Sequence, residues 1–103
     1  KTKANVGVTT VGIYTAPAAT TTVVIGITLS NTSGSGVNVG VAVSRTSDTK
    51  DDVSLLKNAP IPQGSSLEFM GGNKVVLETN DQINVDSDTN NSVDAALTIM
   101  EIT

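Results

Sequence analysis

The run Asp86-Ser87-Asp88-Thr89-Asn90 places oxygen-bearing side chains at alternate positions, which is how the first half of a calcium loop rings a hard cation. The second half departs from that motif. Position six, a glycine in such loops, is Asn91, and position twelve, a bidentate Glu, is Leu97. An EF-hand is therefore rejected, and Asp86, Asp88 and Asn90 remain either a looser inter-strand calcium site or a solvated turn. Asp48, Asp51 and Asp52 form a second acidic cluster. Acid–base catalysis there would need walls that desolvate one carboxylate and separate the two pKa values. The neighbouring residues supply none, and Arg45 and Lys50 can neutralise the cluster on an exposed loop. Gly71-Gly72-Asn73-Lys74 lacks the remaining spacing of a phosphate-binding loop and opens no helix, so it reads as a hairpin turn.

Composition removes whole classes of chemistry. The 103 residues include no Cys, His or Trp, and only Tyr14 and Phe69 carry phenyl rings. Zinc fingers, iron–sulfur clusters, disulfides and His-dependent nucleophiles are excluded, no cofactor is expected, and an enzyme is the least supported class. Paired carboxylates can hydrolyse glycosides, yet two rings are too few for the usual aromatic sugar platforms. A net charge of −4 argues against a nucleic-acid partner, since phosphate binding needs a basic stripe. No apolar run approaches the length of a membrane-spanning helix.

The elements that would carry any site are strands. Val, Ile and Thr number 14, 7 and 15, about a third of the chain, and such β-branched residues favour extended backbone. Period-two alternation runs throughout. Val23, Ile25, Ile27 and Leu29 read as one face and Val24, Gly26, Thr28 and Ser30 as the other; Val37, Val39, Val41 and Val43 alternate with Asn38, Gly40, Ala42 and Ser44. Joined by Asn31–Gly36, these two segments predict a hairpin. Further strands are expected over 5–14, 53–57, 67–70, 75–77, 83–85 and 93–102, with polar loops at 44–52 and 86–92. About eight short strands in a single domain over 1–103 predict an antiparallel β-sandwich or jelly-roll-like fold. The chain opens on Lys1 without Met, so residues 1–5 are expected to form a flexible or processed N-terminal arm.

A chain of this mass buries somewhat under two-thirds of its unfolded surface, exposing about 5,400 Å² when folded. An aliphatic core of that size with few aromatics is marginal alone, which makes a homo-oligomer expected. Tyr14 reads as a core or interface ring, and the small residues Gly26, Gly40 and Ala42 would let a second subunit approach closely.

The segment Tyr14–Val24 reads Y-T-x-P-A-x-T-T-x-V-V and leads into Leu29-Ser30-Asn31-Thr32. Between Leu56 and Leu67 lies P-I-P-x-G-S-S-L; G-x-K-x-V-L-x-x-x-D-x-I-x-V follows from Gly72 to Val85, and S-V-D-A-x-x-x-x-x-E-I from Ser92 to Ile102. On these motifs, spanning about nine-tenths of the chain from Gly12 onward, the sequence resembles small virion structural proteins of tailed bacteriophages, notably phages of cyanobacteria. The loop 44–52 departs from the pattern. The resemblance implies a non-enzymatic part of the virion: a capsid decoration or cement protein on the head surface. Such a protein, commonly a trimer, contacts the major capsid protein and stabilises capsomer junctions. Expected contact elements are Lys1 and Lys3 in the N-terminal arm and the Pro-stiffened loop Ala59-Pro60-Ile61-Pro62. A tail, neck or baseplate component is the structural alternative, and a carbohydrate- or calcium-binding module the alternative from another class.

Overall fold

Alternating β-branched residues extend the chain into nine strands across residues 1–45, 53–69 and 75–102, the segments described by the computed structural model. They are β1 (Thr2–Val6), β2 (Val11–Thr15), β3 (Thr21–Asn31), β4 (Val37–Ser44), β5 (Val53–Ile61), β6 (Ser66–Phe69), β7 (Val75–Leu77), β8 (Gln82–Ser87) and β9 (Val93–Ile102). All pairings are antiparallel and form two sheets. Sheet A runs β1-β9-β3-β6 with β7 also on β3, and sheet B runs β2-β8-β4-β5. The pairs β1·β9, β2·β8, β3·β6 with β7, and β4·β5 nest inside one another like a folded ribbon, and β3·β9 and β4·β8 roll that ribbon into two layers.

The inner faces of both layers share one aliphatic core. Sheet A contributes Val24, Ile27, Leu29, Leu77, Val93 and Leu97, and sheet B contributes Val37, Val39, Val41, Val43, Ile83 and Val85. Burying each such side chain contributes about 1.5–3 kcal/mol. The folded surface of 5528 Å² agrees with the scaling expectation.

Several local expectations are corrected. The run 5–14 is not one strand: it turns after Val6, so that β1 lies in sheet A and β2 in sheet B, which is the source of the ninth strand. The turn is held by Gly7, whose carbonyl accepts from Ser87 N at 2.9 Å. Residues 1–5 do not form a loose arm. Thr2 and Lys3 pair with Ala96 and Ala95 of β9, and Val6 at the strand's end is buried. Ala59-Pro60-Ile61 is likewise not a loop, because β5 continues to Ile61, with Pro60 tolerated on an edge strand.

The expected hairpin of β3 and β4 does not form. β3 pairs with β9, β6 and β7, β4 pairs with β8 and β5, and residues 32–36 cross between the sheets. Stacked in opposite layers, the two strands bury their apolar faces against each other. The crossing is fastened by Asn31, which is buried. Its Nδ2 donates to Ser35 O at 2.8 Å and Ile61 O at 2.9 Å, while its Oδ1 accepts from Ser33 N and Oγ at 2.9 and 2.7 Å.

The faces of β3 also differ from the simple alternation. Val24 pairs with Ile99 but Gly26 with Thr98, so Ile25 is an extra residue in a β-bulge. The inward set is therefore Thr22 and Val24 followed by Ile27 and Leu29, and Ile25 is turned out.

Two outcomes follow from this arrangement. Asn31→Ala removes the side-chain donor to the Ile61 carbonyl and the acceptor of Ser33 N, and is expected to lower stability by about 1–3 kcal/mol, read as a lower denaturant midpoint at unchanged m-value. An unchanged midpoint would show that this side chain does not hold the crossing. Removing residues 1–5 uncovers the outer edge of β9, and thermal unfolding should register a lower Tm rather than an unaltered domain.

Candidate functional surfaces

β2 turns Tyr14 into the molecule, where the ring is only 6% exposed. Its hydroxyl donates to Glu101 Oε2 at 2.5 Å and lies 2.8 Å from Thr22 Oγ1, both on sheet A. Lys1 Nζ sits 5.9 Å from the ring centroid, within cation–π range. The ring is thus a strut between the two sheets, filled in by its own chain, which agrees with the core reading of Tyr14. Burial raises the phenol pKa, its hydrogen bond to Glu101 raises it further, the Thr22 bond opposes that, and the Glu101 charge adds a last upward push.

The other residues singled out from sequence do not converge. Gly26 lies on the outer face of sheet A with open space above it, whereas Gly40 and Ala42 lie on the outer face of sheet B. Because β3 and β4 are in different layers, these small residues do not share one face. Gly40 is moreover already occupied: a Cβ there would stand 2.6 Å from Asp86 Oδ1. Lys1 and Lys3 lie at the β1 edge, over β2, while Ala59–Pro62 lies at the opposite edge of sheet B. Ile61 is a core residue at 1% exposure, leaving Pro60 and Pro62 exposed and Ala59 half-buried.

Asp86, Asp88 and Asn90 face three different partners. The Asp86 carboxylate overlies Gly40 and accepts a long bond from Thr10 Oγ1 at 3.4 Å. Asp88 Oδ1 accepts from Asn38 N at 3.1 Å and Thr89 Oγ1 at 3.2 Å, and Asn90 Oδ1 from Val8 N at 3.2 Å. Two of the three therefore serve as backbone acceptors around a turn, and among the described residues no cluster of three or more acids is gathered for a metal. The cluster at Asp48, Asp51 and Asp52 and the turn Gly71–Lys74 lie outside the described residues.

What sequence reading missed are two contrasting outer faces. On sheet A, Val23 pairs with Val76 on one side and Met100 on the other, giving an outward apolar row. Ile25 and Ile102 extend it, and Val76, Met100 and Ile102 are each half exposed or more. On sheet B the outward row of β8 is polar: Gln82, Asn84 and Asp86. Gln82 Nε2 donates to Thr15 Oγ1 at 3.0 Å and Asn84 Nδ2 to Ser44 Oγ at 2.9 Å. A signal for the first face was present in the apolar pairs of β9, but it required the bulge at Ile25 to be known.

The chain matches no protein-family model, no curated protein and no solved structure.

Tyr14 is the sole tyrosine in a chain without tryptophan, so tyrosinate absorbance reports it alone. Its midpoint in the folded protein is expected above the ordinary value of 10.0. A pKa raised by folding means that the stabilisation is fully present below pH 10 and is lost as pH rises through the folded pKa. Tm should therefore fall above pH 10, and fall less steeply in Tyr14→Phe; a folded-state midpoint at or below 10 would contradict the strut.

Proposed function

We propose that this chain is a non-enzymatic virion structural protein that decorates a phage head, binding the major capsid protein and clamping capsomer junctions. The observation that carries the reading is the exposed apolar row Val76–Val23–Met100, widened by Ile25 and Ile102. Contiguous outward apolar side chains on a small acidic domain mark a protein-contact surface.

The edges support use of a face rather than strand addition. β6 and β7 are four and three residues long. β1, β2 and β5 each carry a register break. Short or bulged edges discourage pairing with another chain. The architecture adds a further support at the level of fold analogy. Two antiparallel sheets in a sandwich-like arrangement are an architecture that viral capsid and lectin domains also use. Lys3 on β1, and Lys1 just before it, supply cations beside an acidic body, and a trimer is the assembly proposed on the particle.

The mechanism is mass action. Contacts made only with intact neighbouring capsomers are lost on rupture, so bound protein raises the free energy of opening the shell. A tail or baseplate part is the other structural reading, and copy number in purified particles separates them: many copies matching the capsomers for decoration, a handful for a tail part. Met100→Lys and Val76→Lys, both at exposed positions, should strip the protein from particles while leaving its Tm within a few degrees. Full occupancy of both variants by cryo-electron microscopy would refute sheet A as the contact face.

A further inference from the structure

We propose that β1 is an exchangeable strand: residues 1–5 of one copy pair with the β9 edge of a second copy in place of its own. The occupant of that edge is already visible within one molecule. Thr2 and Lys3 pair with Ala96 and Ala95. Leu97 N donates to Lys1 O at 2.7 Å and Lys1 N to Leu97 O at 3.0 Å. A second copy carries the same five residues, so its strand fits this edge equally well. What decides exchange is how firmly β1 is held and where the chain can open.

The chain is fixed firmly only from Val6 onward. Val6 is buried and its carbonyl accepts from Ser92 N at 3.1 Å. Gly7 O accepts from Ser87 N at 2.9 Å, and Val8 N donates to Asn90 Oδ1 at 3.2 Å. Every residue before Val6 is exposed, so lifting residues 1–5 uncovers no core and needs only local fraying. Between the two parts the register breaks. Lys3 pairs with Ala95 and Val6 with Val93, so β1 holds one residue more than β9 there. Asn5 absorbs the surplus at a φ of 58°, with its N–H tied to Asp94 Oδ1 at 3.0 Å. The strand thus follows its own β9 only by keeping a non-glycine residue in the left-handed region, a strained hinge of the kind that invites swapping. Returning Asn5 to extended backbone releases the strain and swings residues 1–4 off the edge. Five extended residues reach about 17 Å, against about 4.8 Å between neighbouring strands, so the segment can cross to an adjacent copy. Opposing exchange is the tether, which presents β1 to its own edge at an effective concentration of about 1 mM. Exchange therefore belongs to crowded protein, where identical copies approach that concentration.

The test uses the isolated chain, so its result is independent of whether the chain decorates a virion. There is no Cys, so introduced thiols report alone. Thr2 and Ala96 are exposed and form a non-hydrogen-bonded pair, because the next pair, Lys1 and Leu97, exchanges both bonds. Their Cα atoms are close enough for a disulfide. Thr2→Cys and Ala96→Cys chains are mixed in a glutathione redox buffer at about 10 μM and about 1 mM, on either side of the tether's limit. Exchange should give an interchain disulfide between these two positions at the higher concentration and little at the lower. Its yield should be about tenfold that from Thr2→Cys mixed with Ser54→Cys, an exposed position on the far edge strand β5, which measures random collision. Asn5→Gly, at ease in the left-handed region, should lower the yield about twofold or more, and Asn5→Val should raise it as much. A yield at 1 mM no higher than the Ser54→Cys control overturns the proposal, as does a yield indifferent to both Asn5 substitutions.

Discussion

Both hydrogen-bonding edges of β3 are used: β9 pairs along one side from Thr21 to Asn31, and β7 and β6 share the other. An eleven-residue strand with period-two alternation twists, and an unbroken ladder that long would carry its ends away from the facing layer. The bulge at Ile25 resolves that conflict. It adds a residue without adding a partner, so Thr22 and Val24 before it and Ile27 and Leu29 after it all face inward. The residue turned out, Ile25, is apolar and stands two residues after Val23, which pairs with Met100. The device that keeps the core continuous therefore also assembles the apolar row outside it.

Around that strand the chain closes its layers with long-range ties. Tyr14 reaches from sheet B to Thr22 and Glu101, and Asn31 reaches from the end of β3 to Ile61 at the end of β5. Tyr14 satisfies the buried Thr22 hydroxyl, and Asn31 satisfies backbone groups that a wholly apolar side chain would leave without those bonds. The protein thus uses two polar fasteners in place of the disulfides and aromatic clusters its composition lacks. Its free surfaces differ accordingly. Sheet A presents aliphatic groups, while sheet B presents amides and a carboxylate laid over glycines.

Part of this was legible in the residues. The inward set Val37, Val39, Val41 and Val43 is buried as its alternation dictates, and Ile83 and Val85 follow the same rule. The break at 16–20 and the polar stretches at 31–36 and 86–92 hold turns in the structure, although Asn31 still belongs to β3 and Asp86 and Ser87 to β8. Other features were misread for identifiable reasons. Asn31 has the composition of a turn residue, and nothing local reveals that it is a buried hub. Gly40 has the look of an open approach site, and its occupant, Asp86, is brought in by pairing of β4 with β8. Asp86, Asp88 and Asn90 have cation-loop spacing, but a strand end followed by a turn sends their oxygens to Gly40, Asn38 and Val8 instead of to a common centre.

The sequence by itself determined an all-β, two-sheet protein with an aliphatic interior and no Cys or His chemistry. Those properties depend only on residue type and on side chains alternating across a strand, which is local geometry. Tertiary structure alone decided which strands are neighbours, that β3 and β4 lie in opposite layers, and which polar residues lie beside Gly40. The reason is that alternation names the face to be buried but not the edge to be paired. An edge is chosen by whichever arrangement of the whole chain buries all the apolar faces at once, and pairs as distant as Lys3 with Ala95 carry no local mark of it.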